Sequence, residues 1–467
     1  MFWHHQLLRQ VGVLSLLSTL VGCAATSVFN PYPNQAMKMK AAMVPEASQG
    51  APVFEQTLAN LAEHRNSADA QLYMMERGRL TQIASRFEES KQDFELVIDK
   101  FEANDLSATV QTSSLGAQGA SLLTNDNALP YQGSGYERIF THLHQALNYW
   151  ALGKIEGAAV EFRKAGLEQQ ILLEKHEQEV AEAQQKAEEK DIELGKLSEH
   201  FAGLDTVAGQ VKSSFQNAYT FYTAATFWEA TGELNSALVD YKKALEINPS
   251  AEFIKQDIAR VARKLGDTSY PKSALLKEDE GMVVIAFEEG FVPAKSEIKI
   301  PIPMADGSVI ALAFPFYDTQ FWPYSPSLKI RDDQFNDHGT TQTLTNVSAL
   351  AVKDLKERLP GMLVRQTLRG ITKHQMQKQS GEQMGLAGSL IANVYNIISE
   401  SADRRSWLTL PHTAQATRLI LPAGQRQLSL STPATQTNVT LDINPNRTTL
   451  LRVIGVNNQL ITQVFTL

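Results

Sequence analysis

The sequence predicts an α+β multidomain protein: an α-helical repeat region, then a mainly antiparallel β region with inserted helices. Three stretches between residues 71 and 249 place Ala, Gly and aromatic residues at the spacing of paired helices. Residues 166–204 continue a charged helical pattern without Pro. After Pro271, short β-branched runs bounded by Gly, Asp and Pro replace that pattern. A chain of 467 residues has room for two to four domains.

Residues 1–22 have the organisation of a lipoprotein signal peptide. Arg9 precedes an apolar run at 11–21. That run is shorter than the roughly 20 residues of a membrane-spanning helix. Cys23, the only cysteine in the chain, follows Leu20-Val21-Gly22, and this tetrapeptide resembles the lipobox of bacterial lipoproteins. The alternative is an ordinary signal peptide with a chance cysteine.

The lipobox resemblance implies that Cys23 carries acyl chains, such as palmitate, that hold the mature protein on a membrane. Several acyl chains anchor a protein stably where one does not. By the same resemblance, Ala24 in place of Asp permits export to the outer membrane, and we expect the protein on its periplasmic face. Residues 23–56 are rich in Ala, Pro and Met without clear periodicity, which predicts an acylated tether.

The composition limits the classes of function. A net charge of −8 disfavours nucleic acid as a partner. Acylation of Cys23 would leave no thiol for a disulfide, a metal site or a nucleophile. The sequence also contains neither His-Glu-x-x-His nor Gly-x-Ser-x-Gly. We therefore predict no enzyme, no catalytic residues, no metal and no cofactor.

Residues 57–270 are predicted as the helical domain, and residues 221–249 carry its clearest pattern. Small residues would let two helices approach, aromatic residues would fill the groove, Gly would permit the turn and Pro would stop the second helix. These residues are Ala225, Trp228, Gly232, Ala237, Tyr241, Ala244 and Pro249. The pattern resembles a tetratricopeptide repeat.

Weaker copies occur at 146–165 and at 71–101, separated by a Gly- and Ser-rich stretch at 104–135 that predicts a long loop. Generic helical hairpins without repeat ancestry are the alternative. A long helix is predicted at about 156–204, with one good heptad seam and one poor seam. It would pair with a helix over 206–230 as a protruding coiled-coil-like hairpin, or lie solvated on the body.

Residues 271–467 are predicted as the α+β C-terminal domain. We expect helices at 347–359, at 361–379 after Pro360, and at 386–401. The predicted strands are 282–287, 298–303, 309–316, 417–421, 427–430, 438–443 and 448–456.

A cationic helix face is the candidate ligand site of this domain. Arg365, Arg369 and Lys373 recur every four residues after Arg358, and three more charged residues follow the predicted helices. Those three are Glu400, Asp403 and Arg404. The face either binds an anion, such as a phosphate, a carboxylate or a glycan, or is neutralised within a structural ion-pair network.

Four stretches resemble an uncharacterised family of bacterial outer-membrane lipoproteins with helical repeats and an α+β C-terminal domain. They are 76–80, 282–293, 365–373 and the most distinctive, Ala-Asp-Arg-Arg-Ser-Trp-Leu-Thr-Leu-Pro at 402–411. The resemblance covers most of the mature chain. It implies a role in the cell envelope and brings no catalytic residues.

These observations predict a membrane-anchored periplasmic scaffold or adaptor that mediates protein–protein interaction in the envelope. Its partner would be an envelope protein, such as wall-synthesis or envelope-assembly machinery. The alternative is a ligand-binding lipoprotein whose C-terminal domain binds an anion or glycan.

Overall fold

The structure is a computed structural model that describes residues 32–43, 52–111, 129–189, 195, 198–303, 309–320, 322–399 and 401–466. About 52% of it is helical and 23% is strand, which confirms the predicted α+β class. The α-helices are α1 (Tyr32–Ala42), α2 (Pro52–Ala62), α3 (Ala70–Ile83), α4 (Phe87–Gln111), α5 (Gly135–Ala151), α6 (Ile155–Glu189), α7 (Asp205–Ala208), α8 (Ala218–Thr231), α9 (Leu234–Ile247), α10 (Glu252–Lys264) and α11 (Val347–Ser399).

The strands follow α10 and surround α11 in sequence. They are β1 (Glu280–Glu289), β2 (Ser296–Pro303), β3 (Val309–Phe316), β4 (Lys329–Asp332), β5 (Asp337–Thr340), β6 (Gln342–Asn346), β7 (Thr413–Pro422), β8 (Gly424–Ser431), β9 (Gln436–Ile443), β10 (Thr448–Val456) and β11 (Gln459–Phe465). All seven predicted strands are present. The short strands β4, β5 and β6, and also β11, were not predicted.

Strand β1 lies at the centre of a five-stranded sheet in the order β11-β10-β1-β7-β6. Its pairing with β10 is parallel, and the other pairings in this sheet are antiparallel. Residues 282–287 are buried on both faces, because alternate side chains enter two different cores. Met282, Val284 and Ala286 pack with the helices. Val283, Ile285 and Phe287 pack with the four-stranded sheet β5-β4-β8-β9.

Three helical hairpins, α3–α4, α5–α6 and α8–α9, occur at the three predicted stretches. In the last of them, Ala225, Trp228, Ala237, Tyr241 and Ala244 are buried. Gly232 ends α8 with a φ of +83°, a left-handed conformation that favours glycine. Pro249 is exposed and lies beyond the end of α9.

The predicted long hairpin differs from the structure. Helix α6 is described as far as Glu189, Gly195 and Ser198 are also helical, and residues 199–204 form a 3₁₀ helix. Residues 206–230 are not one helix, because 209–217 interrupt the helical backbone and Asn217 caps a new helix by accepting from the Thr220 amide at 3.0 Å. Helix α6 instead packs against α11.

Helix α11 also differs, because it runs from Val347 to Ser399 through Pro360 where three helices were predicted. A proline inside a helix costs about 3 kcal/mol. Leu359 and Leu363, on either side of it, are 3% and 1% exposed in the main core. Burial of this kind contributes about 1.5–3 kcal/mol per side chain, enough to offset the lost hydrogen bond.

Residues 32–42, which the sequence places in the tether, form α1 and pack on the body. Met39 and Met43 are 3% and 2% exposed. Lys40 Nζ donates to the Val292 carbonyl at 2.7 Å, and Asn457 donates to the carbonyls of Lys40 and Met43. The stretch predicted as a loop at 104–135 also begins later, since α4 continues to Gln111.

A buried ion network joins the helices to the five-stranded sheet. Glu288, at the end of β1, accepts from Arg79 of α3 at 2.5 Å, from two nitrogens of Arg452 at 2.8 Å, and from Tyr219 at 3.0 Å. The exposure of these charged side chains is between 0% and 1%. Burial raises the pKa of Glu288, but Arg452 and Arg79 outweigh burial and hold that pKa far below its usual range. We call these four residues the Glu288 network.

Candidate functional site: a basic pocket

A pocket of about 340 Å³ lies where α11 meets residues 129–134 and the chain at Asp403 and Arg405. Four cationic side chains and two carboxylates line it: Lys295, Arg358, Arg365, Arg405, Asp354 and Asp403. Tyr131, Ser134, Leu355 and Met362 are among the other lining residues. We call this cavity the basic pocket. Its volume falls within the range of small-molecule sites.

Helix α11 supplies one wall of the basic pocket. Asp354, Arg358, Met362 and Arg365 line it, and their spacings of four, four and three residues place them on one face of a helix. Arg358 Nη1 donates to Asp354 and to Ser134 Oγ, each at 3.2 Å. The Arg358 side chain is nevertheless 55% exposed, so it can turn toward a ligand.

Arg405 forms a second, fixed wall. It donates two hydrogen bonds to Asp403, at 2.9 and 2.7 Å, and one to Asp69 at 2.5 Å. A further bond reaches the Leu129 carbonyl at 2.9 Å. The side chain is 8% exposed. Arg405 is therefore held as a structural cation by two carboxylates.

Two helix carboxylates hold the chain next to Arg405 in place. Glu76 of α3 accepts from the Leu408 and Thr409 amides at 2.7 and 3.1 Å. Glu137 of α5 accepts from the Trp407 amide at 2.7 Å. Burial raises the pKa of both carboxyl groups, and the hydrogen bonds they accept oppose that rise. The segment 402–411 is thus clamped by the helical layer.

Lys295, between β1 and β2, differs from the arginines. Its Nζ donates to the Arg405 carbonyl at 3.0 Å. Within the part of the chain that the structure describes, no carboxylate lies within 4 Å of this nitrogen. Burial lowers the pKa of Lys295, while Asp403 opposes that effect. A partly buried ammonium without a close counter-ion favours an incoming anion.

The structure brings together only some of the predicted ligand-site residues. Arg365 and Asp403 line the basic pocket. Arg369 is 4% exposed and Arg404 is half-buried, and neither lines the cavity. Glu400 and the side chain of Lys373 lie outside the described residues, as do Cys23 and the signal peptide.

Sequence reasoning missed Lys295, Asp354 and Tyr131 as lining residues. Asp354 precedes Arg358 by four residues in a predicted helix, so spacing alone could have identified that pair. Lys295 and Tyr131 reach the pocket by long-range folding, and no local pattern marks them.

No group of three or more His, Cys, Asp or Glu side chains among the described residues is placed to hold a metal ion. No helix in the described part of the chain combines the length and apolar character needed to cross a bilayer. Comparisons of the chain with protein-family models, curated proteins and solved structures give no match.

Proposed function

We propose that this protein is an envelope lipoprotein that binds a small anion in the basic pocket. The observation that carries the proposal is a cavity of about 340 Å³ lined by four cationic side chains and two carboxylates. The chain as a whole has a net charge of −8, so this concentration of cations runs against the overall balance. It is a local feature of the fold.

The cationic side chains of the pocket indicate an anionic ligand. Asp69 lies behind Arg405 and bonds to it, so part of the positive charge is compensated from outside the pocket lining. Arg405 is saturated by its own carboxylates, which leaves Lys295 and the exposed Arg358 as the groups best placed to contact a phosphate or carboxylate oxygen.

The anchor is part of the proposal. Cys23 after Leu-Val-Gly supports acylation, and Ala24 supports the outer membrane, with the protein on the periplasmic face. This placement would expose the pocket to soluble envelope anions and to lipid headgroups.

Titration with inorganic phosphate by calorimetry tests the binding. We expect saturable heat with the wild-type protein and weaker affinity in Lys295→Met and Arg358→Ala. Lys299→Met is a matched control. Lys299 follows Lys295 by four residues, does not line the pocket, and has a side chain that is 62% exposed. Absence of wild-type binding, or equal affinity in all four proteins, would contradict the proposal.

A scaffold role is the second candidate, and the surface of α6 favours it. Val160, Leu167 and Leu173 are 48%, 55% and 48% exposed on this helix. Glu182, Glu188 and Glu189 are exposed near its end. Exposed apolar residues beside acidic ones suit a protein partner with a basic surface.

The three helical hairpins support the same role, because tetratricopeptide-like hairpins stack into interaction surfaces. In-cell crosslinking should capture an envelope partner with the wild-type chain and lose it in a Leu167→Glu, Leu173→Glu double variant. Capture that is unchanged in this variant would remove α6 as the contact surface.

A further inference from the structure

The body of the protein begins close to the proposed anchor. Eight residues, 24–31, separate Cys23 from Tyr32, the first residue of α1. A fully extended chain of this length spans about 30 Å at most. We call residues 24–31 the leash. Because Tyr32 is 8% exposed and its hydroxyl donates to Glu76, the leash ends at a fixed point of the body.

That fixed point lies next to the basic pocket. Helix α3 holds both features: Glu76 binds Tyr32, and Asp69, immediately before the helix, binds the pocket residue Arg405. Seven residues separate Asp69 from Glu76, which corresponds to about 10 Å along a helix axis. The pocket wall is therefore about two helical turns from the place where the leash joins the body.

The docking of α1 prevents the leash from lengthening easily. Its contacts include Lys40 to the Val292 carbonyl, Asn457 to two α1 carbonyls, and the buried side chains of Met39 and Met43. Burial of two Met side chains alone contributes about 1.5–3 kcal/mol each. An anchored chain would thus keep this end of the molecule near the bilayer.

We infer that the basic pocket faces the membrane and binds the phosphodiester group of an anionic phospholipid. This inference rests on the proposed function. The negatively charged oxygens of a phosphodiester are acceptors that suit the cationic lining of the pocket. Lys295 and Arg358 would bind the phosphate oxygens. Asp354 and Ser134 could accept from headgroup hydroxyl groups.

The position of the pocket can be measured with single-cysteine labels, because the chain has no cysteine other than Cys23. Ala68→Cys lies beside Asp69 on an exposed residue, outside the pocket lining. Ala434→Cys is a matched control, exposed in the turn between β8 and β9, strands that pack on the opposite face of β1 from the helices. The full acylated protein is reconstituted in phosphatidylcholine vesicles that contain an acceptor dye. We expect stronger energy transfer from position 68 than from position 434.

The ligand is tested by calorimetry with soluble short-chain phosphatidylglycerol, short-chain phosphatidylcholine and inorganic phosphate. We expect phosphatidylglycerol to bind more tightly than either other probe, and Lys295→Met to lose this preference. Phosphate binding without a preference for phosphatidylglycerol would overturn the lipid inference and leave the anion proposal standing. Equal energy transfer from the two labels would also overturn the lipid inference and leave the anion proposal standing. Failure of every anion to bind would overturn both.

Discussion

The Glu288 network and the basic pocket use the same residue types at the same junction between the helices and the C-terminal region. They differ in how completely their charged side chains are paired. Glu288 accepts from Arg79, Arg452 and Tyr219, and its side chain is fully buried. In the pocket, Arg358 is 55% exposed, and Lys295 has no carboxylate within 4 Å in the described chain.

This difference separates stability from binding. A buried carboxylate with all its acceptor positions filled cannot bind anything further, and its removal leaves buried cations without compensation. Exposed or incompletely compensated cations beside a cavity contribute little to folding and remain available to a ligand. The four predictions below test this distinction, from the largest expected effect to the smallest.

Glu288→Gln should destabilise the protein most. The change leaves Arg79 and Arg452 buried without their shared carboxylate, and breaking a buried pair in this way costs about 3–5 kcal/mol. Urea denaturation measures the loss. Glu280→Gln, on the same strand but paired with the 78%-exposed Lys277, should leave the free energy of unfolding close to that of the wild type. Similar losses of stability in both variants would show that the Glu288 network stabilises the fold no more than an exposed ion pair does.

His412 should make stability depend on acid pH, and its backbone N–H donates to the carbonyl of Glu289, next to Glu288. Burial lowers the pKa of His412 to about 4, and its Nδ1 lies 2.6 Å from Ser348 Oγ. The folded-state pKa of His412 lies below the usual 6.5. The contribution of neutral His412 to the free energy of unfolding is therefore complete above pH 6.5 and is lost as the pH falls from 6.5 through 4. The loss is at most about 3 kcal/mol. His412→Gln should show a flatter dependence in urea denaturation between pH 6.5 and 4, whereas parallel curves would rule out this residue as the cause.

Asp403→Asn should affect both properties. Arg405 would lose two charged hydrogen bonds but keep Asp69 and the Leu129 carbonyl, so we expect about 1.5–2 kcal/mol of destabilisation. Removal of one carboxylate from the pocket should also tighten phosphate binding. Calorimetry and urea denaturation on one preparation measure both effects. Weaker phosphate binding in this variant would show that the wall charge does not govern the site.

Arg358→Ala should leave the free energy of unfolding within about 0.5 kcal/mol of wild type, because the side chain is mostly exposed. Phosphate affinity should fall nonetheless. Lys356→Ala is the control from the same helix, since Lys356 pairs with Asp205 and does not line the pocket. A stability loss without an affinity loss would make Arg358 structural.

Local patterns in the sequence predicted the fold class, the three helical hairpins and seven strands. Strands β4, β5 and β6 were not predicted, because each has only four or five residues and is flanked by polar residues. The predicted helix break at Pro360 was wrong, because the packing of Leu359 and Leu363 in the main core outweighs the local cost of proline. Tertiary burial, which one sequence does not display, decided that point.

The candidate site was predictable in part. The sequence marked Arg358 and a four-residue repeat that begins at Arg365, but Arg369, the next member of that repeat, is buried away from the pocket. At Gly370, next to Arg369, a Cβ would lie 2.6 Å from Ile310 Cδ1, so α11 closely contacts the hairpin that the antiparallel strands β2 and β3 form. Contacts made by Lys295 and Asp69 depend on distant segments and carry no local signal.

The most direct test of the central claim is urea denaturation of wild type and a Lys295→Met, Arg358→Ala double variant, each with and without saturating inorganic phosphate. Binding to the native state stabilises by about 2.7 kcal/mol at a ligand concentration 100 times Kd. We predict that phosphate stabilises the wild-type protein by about this amount and leaves the double variant unchanged. Equal stabilisation of both proteins, or of neither, would contradict the assignment of the basic pocket as a ligand site.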